Sequence, residues 1–100
     1  MNVKINAVHF TADQNLIDFI EKKVNKLDIF FEGIIGAEVM LKVDKPESPC
    51  NKVTELTLSV PAHEHLFAVK QADTFEESTD LAVDAIEKQL KKFKEKLKVK

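Results

Sequence analysis

KQLKKFKEKLKVK, residues 88–100, closes the chain, and two patterns in it organise everything upstream. The first is charge. These thirteen residues hold seven lysines and one acid, Glu95, for a local charge of +6. Residues 1–87 hold eight lysines and sixteen acids, for −8, so the 100-residue chain carries −2 overall. The second is period. Ala82, Ile86, Leu90, Phe93 and Leu97 recur at steps of four, four, three and four, which is one face of an α-helix. Lys88, Lys92 and Lys96 fall on the opposite face, one turn apart. Like charges at that spacing oppose helix formation by about 0.2–0.5 kcal/mol per pair, which an anion lying against the stripe would relieve. The same lysines complement the negative end of the helix dipole and keep a small protein soluble. The stripe alone therefore leaves both an anionic partner and a merely solvated face open.

Working back from that helix, Asp73-Thr74 opens it, and Thr74 with Glu77 fits a capping box. Glu76, Glu77 and Asp80 load its first turns with acid, as the dipole prefers. Residues 65–71 read as a strand, after a turn at Pro61-Ala62-His63-Glu64. Residues 52–60 read as another, with Leu56, Leu58 and Val60 inward. Lys45 to Asn51 is a loop broken twice by proline. Along residues 35–44, Ala37, Val39, Leu41 and Val43 alternate with Glu38, Met40 and Lys42, the pattern of a half-buried strand. Residues 2–10 give the first strand. Thr11 and Gln14 then form a second capping box, predicting a helix over 12–31 with Leu16, Ile17, Ile20, Val24, Leu27 and Phe31 as its buried stripe. Gly33 is the expected C′ residue, and Lys22, Lys23 and Lys26 sit near the helix's outer side.

The order is β-α-β-β-β-α, without repeat or linker, and residues 1–100 make a single domain. The reading is α+β in two layers: a four-stranded mixed sheet with both helices on one face. The strand-helix-strand start predicts a right-handed crossover and a parallel first pair. The short later turns predict an antiparallel meander. The other sheet face is left to solvent or a partner.

Several classes of function are set aside. No apolar run approaches the roughly 18 residues that span a bilayer, and no apolar h-region opens the chain, so no membrane is expected and the cytoplasm is the default location. Cys50 is the one cysteine and has no histidine beside it, which leaves it a bystander thiol. His63 and His65 form an H-x-H without a third ligand nearby, and His9 is distant, so no metal site is expected. Asp13, Asp18, Glu21, Asp80 and Asp84 lie on helices and read as solvated. There is no P-loop, GxGxxG, HExxH or nucleophile elbow. No enzyme, cofactor or small-molecule substrate is expected. Of the seven phenylalanines most should be core, and Phe93, on the Leu90/Leu97 stripe, is expected to be buried rather than to stack on bases.

Three segments carry a family resemblance: FIEKKVNKLDIFF at 19–31, VMLKVDK at 39–45 and, most specifically, DLAVDAIEKQLKKFKEKLK at 80–98. Together with the order of elements they resemble the short form of the ribosome hibernation promoting factor family, also called ribosome-associated inhibitor A, over essentially the whole chain. The resemblance implies a fold related to double-stranded RNA-binding domains. It implies binding to the small (30S) subunit of the 70S ribosome between head and body, at the mRNA channel and the A- and P-site tRNA positions, which inhibits translation in resting or stressed cells. It also implies contact with 16S rRNA by residues at the family's basic positions: Lys23 and Lys26 on the first helix, Lys42 on a strand, and Lys88, Lys92, Lys94 and Lys96 on the last helix. The chain departs from the family in being acidic overall, in Pro61-Ala62-His63 where glycines are common, and in an Asp73-to-Asp80 opening one residue longer than usual. Without the extra domain of long members it is expected to be a monomer when free and not to pair ribosomes by itself. With no arginine in the chain, the charges would act as points on phosphates, favouring electrostatic, shape-driven binding over bidentate base readout. A protein–protein adaptor using the open sheet face, its lysines only solvating, is the alternative.

Overall fold

Alternation along the second strand sets the architecture. In a computed structural model, which describes residues 1–61 and 64–98 (without the side chains of Glu64 and 96–98), this strand is β2, Gly36–Val43. It buries Ala37, Val39 and Leu41 and leaves Glu38, Met40 and Lys42 on the other face. β1 (Asn2–Ala7) pairs with it in parallel, from Asn2 opposite Gly36 to Ala7 opposite Leu41. β3 (Lys52–Val60) pairs with it antiparallel, Leu58 opposite Ala37 and Leu56 opposite Val39. β4 (Glu64–Ala72) completes the sheet, Ala68 opposite Leu56. The sheet order is β1-β2-β3-β4.

Both helices, α1 (Gln14–Asn25) and α2 (Phe75–Lys98), lie on one face. Ile20 and Val24 of α1, with Ala82, Ile86, Leu90 and Phe93 of α2, join Val39, Leu41, Leu56 and Leu58 in one core. Ile20, Ile86, Leu41 and Leu58 are fully inaccessible, and burial of such side chains contributes about 1.5–3 kcal/mol each. The two-layer fold and mixed sheet are those the sequence predicts.

At the start of α2, the Glu77 N–H donates to Thr74 Oγ1 at 3.1 Å, as the capping pattern requires. One turn in, Ser78 and Thr79 are buried against β3, where Thr54 Oγ1 lies 2.6 Å from Ser78 Oγ and 3.3 Å from Thr79 Oγ1. These hydroxyls satisfy one another, so the polar contact fixes the docking of α2 without leaving an unpaired buried group.

The first helix departs from expectation at both ends. Its cap is Asp13, whose Oδ1 accepts the Leu16 N–H at 2.8 Å. Gln14 does not reach back to Thr11; its amide donates to Asp18 Oδ1 at 2.8 Å. Thr11 and Asp13 both suit an N-cap, and the carboxylate gains further from the positive helix end. At the other end α1 stops at Asn25 and tightens into a 3₁₀ turn, Lys26–Ile29, which still buries Leu27. Phe31 is only half-buried. Gly33 has a positive φ of 96° but lies beyond the turn's cap at Phe30, so it bends the approach to β2 rather than closing the helix.

The first strand ends at Ala7 rather than residue 10. The Val8 N–H makes a last bond to Leu41 O at 2.8 Å, and His9 then takes a φ of 63°. That turn carries Phe10 onto Phe75, ring centroids 5.2 Å apart and stacked. Phe75, in the lengthened opening of the last helix, is thereby part of the core. Val43, at the end of β2, is partly exposed rather than inward, and Phe67 is 52% exposed on the open sheet face.

Candidate nucleic-acid interface

α1 and α2 lie side by side and run in the same sense, because contacts advance together along both. Lys23 on α1 meets Asp80 early on α2, and Phe30 and Phe31 beyond α1 meet Lys91, Lys94 and Phe93 late on it. The edge-to-face pair of Phe31 and Phe93, 5.5 Å between centroids, holds the far end. Phe93 is buried, as its place on the apolar stripe predicts. The opposite face of α2 then has to present its lysines outward.

The expected lysines fall into two groups. Lys23, Lys26, Lys88, Lys92 and Lys94 belong to the helix layer. The side chain of Lys96 and all of His63 lie outside the described residues. Lys42 stands on the other side of the molecule, on the open sheet face. Its Nζ is 2.6 Å from Glu55 Oε2 on the neighbouring strand. The hydrogen bond to Glu55, and then that carboxylate's charge, raise the Lys42 pKa above the ordinary lysine value, so it is a cation throughout the physiological range.

Within the helix layer the charges are ordered along α2. A groove of about 470 Å³ between the helices has Lys23 and Lys26 on one wall, Asp80, Asp84 and Glu87 on the other, and Leu27 and Leu81 among its apolar lining. Lys23 Nζ is 3.0 Å from Asp80 Oδ1 across it, and sits 5.5 Å from the centre of the Phe19 ring. Lys88 Nζ is 3.6 Å from Asp84 Oδ2. Lys91, absent from the set singled out in the sequence, has Nζ 3.4 Å from Glu87 Oε2 and 5.7 Å from the Phe30 ring centre. The Glu87-to-Lys91 spacing of four was the signal for it. Lys94 Nζ donates to Phe30 O at 3.4 Å. Among the described residues Lys26 and Lys92 make no ion pair, and both are exposed.

Elsewhere, Cys50 is exposed in the loop before β3, and its N–H donates to Asp73 Oδ1 at 2.9 Å. A side-chain hydrogen bond of the thiol to Asp73, and then that carboxylate's charge, push the thiol pKa up, which disfavours the reactive thiolate. Among the described residues no three His, Cys, Asp or Glu side chains gather as metal ligands, and no helix is long and apolar enough to cross a membrane.

A four-stranded sheet backed by two parallel helices, with lysines along their outer surface, defines a small two-layer α+β domain. The chain belongs to the family described as Sigma 54 modulation protein / S30EA ribosomal protein, which it matches over residues 3–98. It is 30% identical over 96 residues to the ribosome hibernation promoting factor of Pseudomonas putida, covering 96% of this chain and 89% of that protein. It is 29% identical over 96 residues to that of Azotobacter vinelandii, covering 96% and 85%. Among solved structures it is similar to the N-terminal domain of Thermus thermophilus Protein Y, with a TM-score of 0.80, 24% identity and coverage of 93% and 99%. It is also similar to a ribosomal subunit interface protein of Coxiella burnetii, with a TM-score of 0.83, 19% identity and coverage of 94% and 98%. At those identities the two structures speak to the fold.

Proposed function

We propose that this protein is a ribosome hibernation factor. It binds the small ribosomal subunit at the mRNA channel and the A and P tRNA sites, contacts 16S rRNA through lysines, and inhibits translation in the cytoplasm of resting cells without catalysing a reaction. Family membership across residues 3–98 and the likeness to proteins named ribosome hibernation promoting factor support the partner. The observation that carries the mode of binding is the outward lysine surface of the paired helices, held in place by the buried Ile86, Leu90 and Phe93. Lys23, Lys26, Lys88, Lys92 and Lys94 meet phosphates from this side, and Lys96 is assigned the same role from its place in the sequence stripe alone. Lys42 meets them from the other side, which requires a cleft in the partner.

Cosedimentation with small subunits across a salt series tests this. Each phosphate contact contributes a slope of roughly −0.7 to −0.9 in log affinity against log salt. Replacing Lys88, Lys92 and Lys96 together by glutamine is expected to weaken binding and flatten the slope by about two to three units. Unchanged affinity and slope would sink the proposal. A second reading has one observation in its favour: Met40, Phe67 and Val69 are exposed on the open sheet face, as an adaptor for another protein would need. Salt-insensitive capture of a protein partner, lost on Phe67→Ser, would favour it.

A further inference from the structure

We propose that Asp80, Asp84 and Glu87 are specificity-determining residues: they repel regular phosphate backbones and so restrict the lysine surface to a partner whose phosphates are irregularly placed. The proposal rests on the ribosome-binding reading and assigns to it the residues that reject other RNA. Three positive charges of the helix layer are already matched by carboxylates: Lys23 with Asp80 at 3.0 Å, Lys88 with Asp84 at 3.6 Å and Lys91 with Glu87 at 3.4 Å. All three acids line the same groove, opposite Lys23 and Lys26.

These partly exposed pairs, two of them i,i+4 pairs along α2, contribute only about 0–1 kcal/mol each to stability, so the acids can be neutralised at little cost to the fold. Their effect on an incoming polyanion is larger. At physiological salt the screening length is about 8 Å, and each carboxylate lies well within that distance of its lysine. A phosphate approaching the lysine feels both charges. An A-form duplex presents phosphates at even spacing, so some must fall opposite the acids whenever others reach the lysines. Folded rRNA can place phosphates at the lysines and base amino donors or bound cations at the acids. Discrimination therefore comes from what the groove repels as well as what it attracts. The acids are also placed differently from the rest. Those on the first turn of α2, Glu76 and Glu77, complement the helix dipole, whereas Asp84 and Glu87 lie deeper along the helix, beyond the reach of that effect.

The test compares an arbitrary RNA duplex with small subunits as binding partners. The variant carries Asp80→Asn, Asp84→Asn and Glu87→Gln. A charge-matched control carries Glu38→Gln, Glu47→Gln and Glu76→Gln, all exposed and outside the groove. Thermal melts establish that both fold, and Asp80→Asn alone serves should the triple variant not. The groove variant is expected to bind the duplex about tenfold more tightly, with a salt slope steeper by about two units as paired lysines become available. Its preference for subunits over duplex falls accordingly. The control is expected to keep most of that preference. Equal gains in both variants mean that net charge alone is responsible, and no gain in the groove variant means that the acids do not reject RNA; either overturns the proposal. Failure of the unmodified protein to cosediment with subunits overturns the functional reading itself, and the proposal with it.

Discussion

Thr54 is a polar residue that the core accommodates by pairing its hydroxyl. It sits on the inward face of β3, 1% exposed, among Leu56, Leu58 and Val60. Its hydroxyl meets those of Ser78 and Thr79, and Ser78 also donates to Phe75 O at 3.2 Å. Thr54→Val keeps the shape and removes the link between sheet and α2. Loss of a net intramolecular hydrogen bond costs about 0.5–1.5 kcal/mol, and urea unfolding is expected to report about that loss; an unchanged midpoint would show the contact to be incidental. At Cys50 the direction of a pKa is the prediction. A side-chain hydrogen bond to Asp73, and then its charge, raise the thiol pKa in the folded state. The folded pKa lies above the unfolded one, so the stabilisation is present below the unfolded pKa and is lost as pH rises through the folded value. Alkylation of native protein is therefore expected to reach half its limiting rate at higher pH than alkylation of denatured protein. Asp73→Asn should bring the native value down; no displacement would remove Asp73 as the cause.

At the scale of elements, the two capping signals look alike in sequence and behave differently. Thr74 caps α2 as its pattern predicts, whereas Asp13 takes the position expected of Thr11 in α1. Asp13→Ala is accordingly expected to cost about 1 kcal/mol, the usual size for a lost N-cap, and Thr11→Ala to cost little; the reverse order in thermal melts would restore the earlier frame. Along α2 the apolar and charged faces separate cleanly. Leu90 is 1% exposed, so Leu90→Ala is expected to cost about 2–5 kcal/mol. Ribosome binding below the lowered melting point should persist, because the lysines remain. Apolar period and lysine stripe are one fact read from two sides, since burying the first obliges the second to face out.

For the whole molecule, the division of lysines between two faces matters most. Lys42 and the helix lysines cannot lie against one flat surface, because the sheet and the helix layer separate them. If the partner is a cleft, Lys42→Gln should weaken binding to small subunits and flatten the salt slope by roughly one contact, about 0.7–0.9. The same change should leave binding to a short RNA duplex almost unaltered. Equal loss on both partners would mean that one face does all the binding.

Period and alternation were enough to determine the order of elements, the mixed sheet and the helix-covered face, because each rests on the spacing of neighbours along the chain. Ala37, Val39 and Leu41, or Ile86, Leu90 and Phe93, declare their face without knowing what covers it. The lysine stripe was legible for the same reason. The choice of Asp13 over Thr11, the stop of β1 at Ala7 and the tightening of the chain at Lys26–Ile29 were not, since local propensities there differ by less than the packing they serve. The pairing of Lys23 with Asp80 and of Lys42 with Glu55 was beyond any reading of spacing. Residues 23 and 80 become neighbours only when two helices dock on the same sheet, and 42 and 55 only when two strands find their register. The sequence by itself determined which charges the protein carries, which of them face outward and, by spacing of four, the pairs Asp84–Lys88 and Glu87–Lys91; tertiary structure alone decided which charges distant in the chain neutralise one another, because only docking and strand register bring them together.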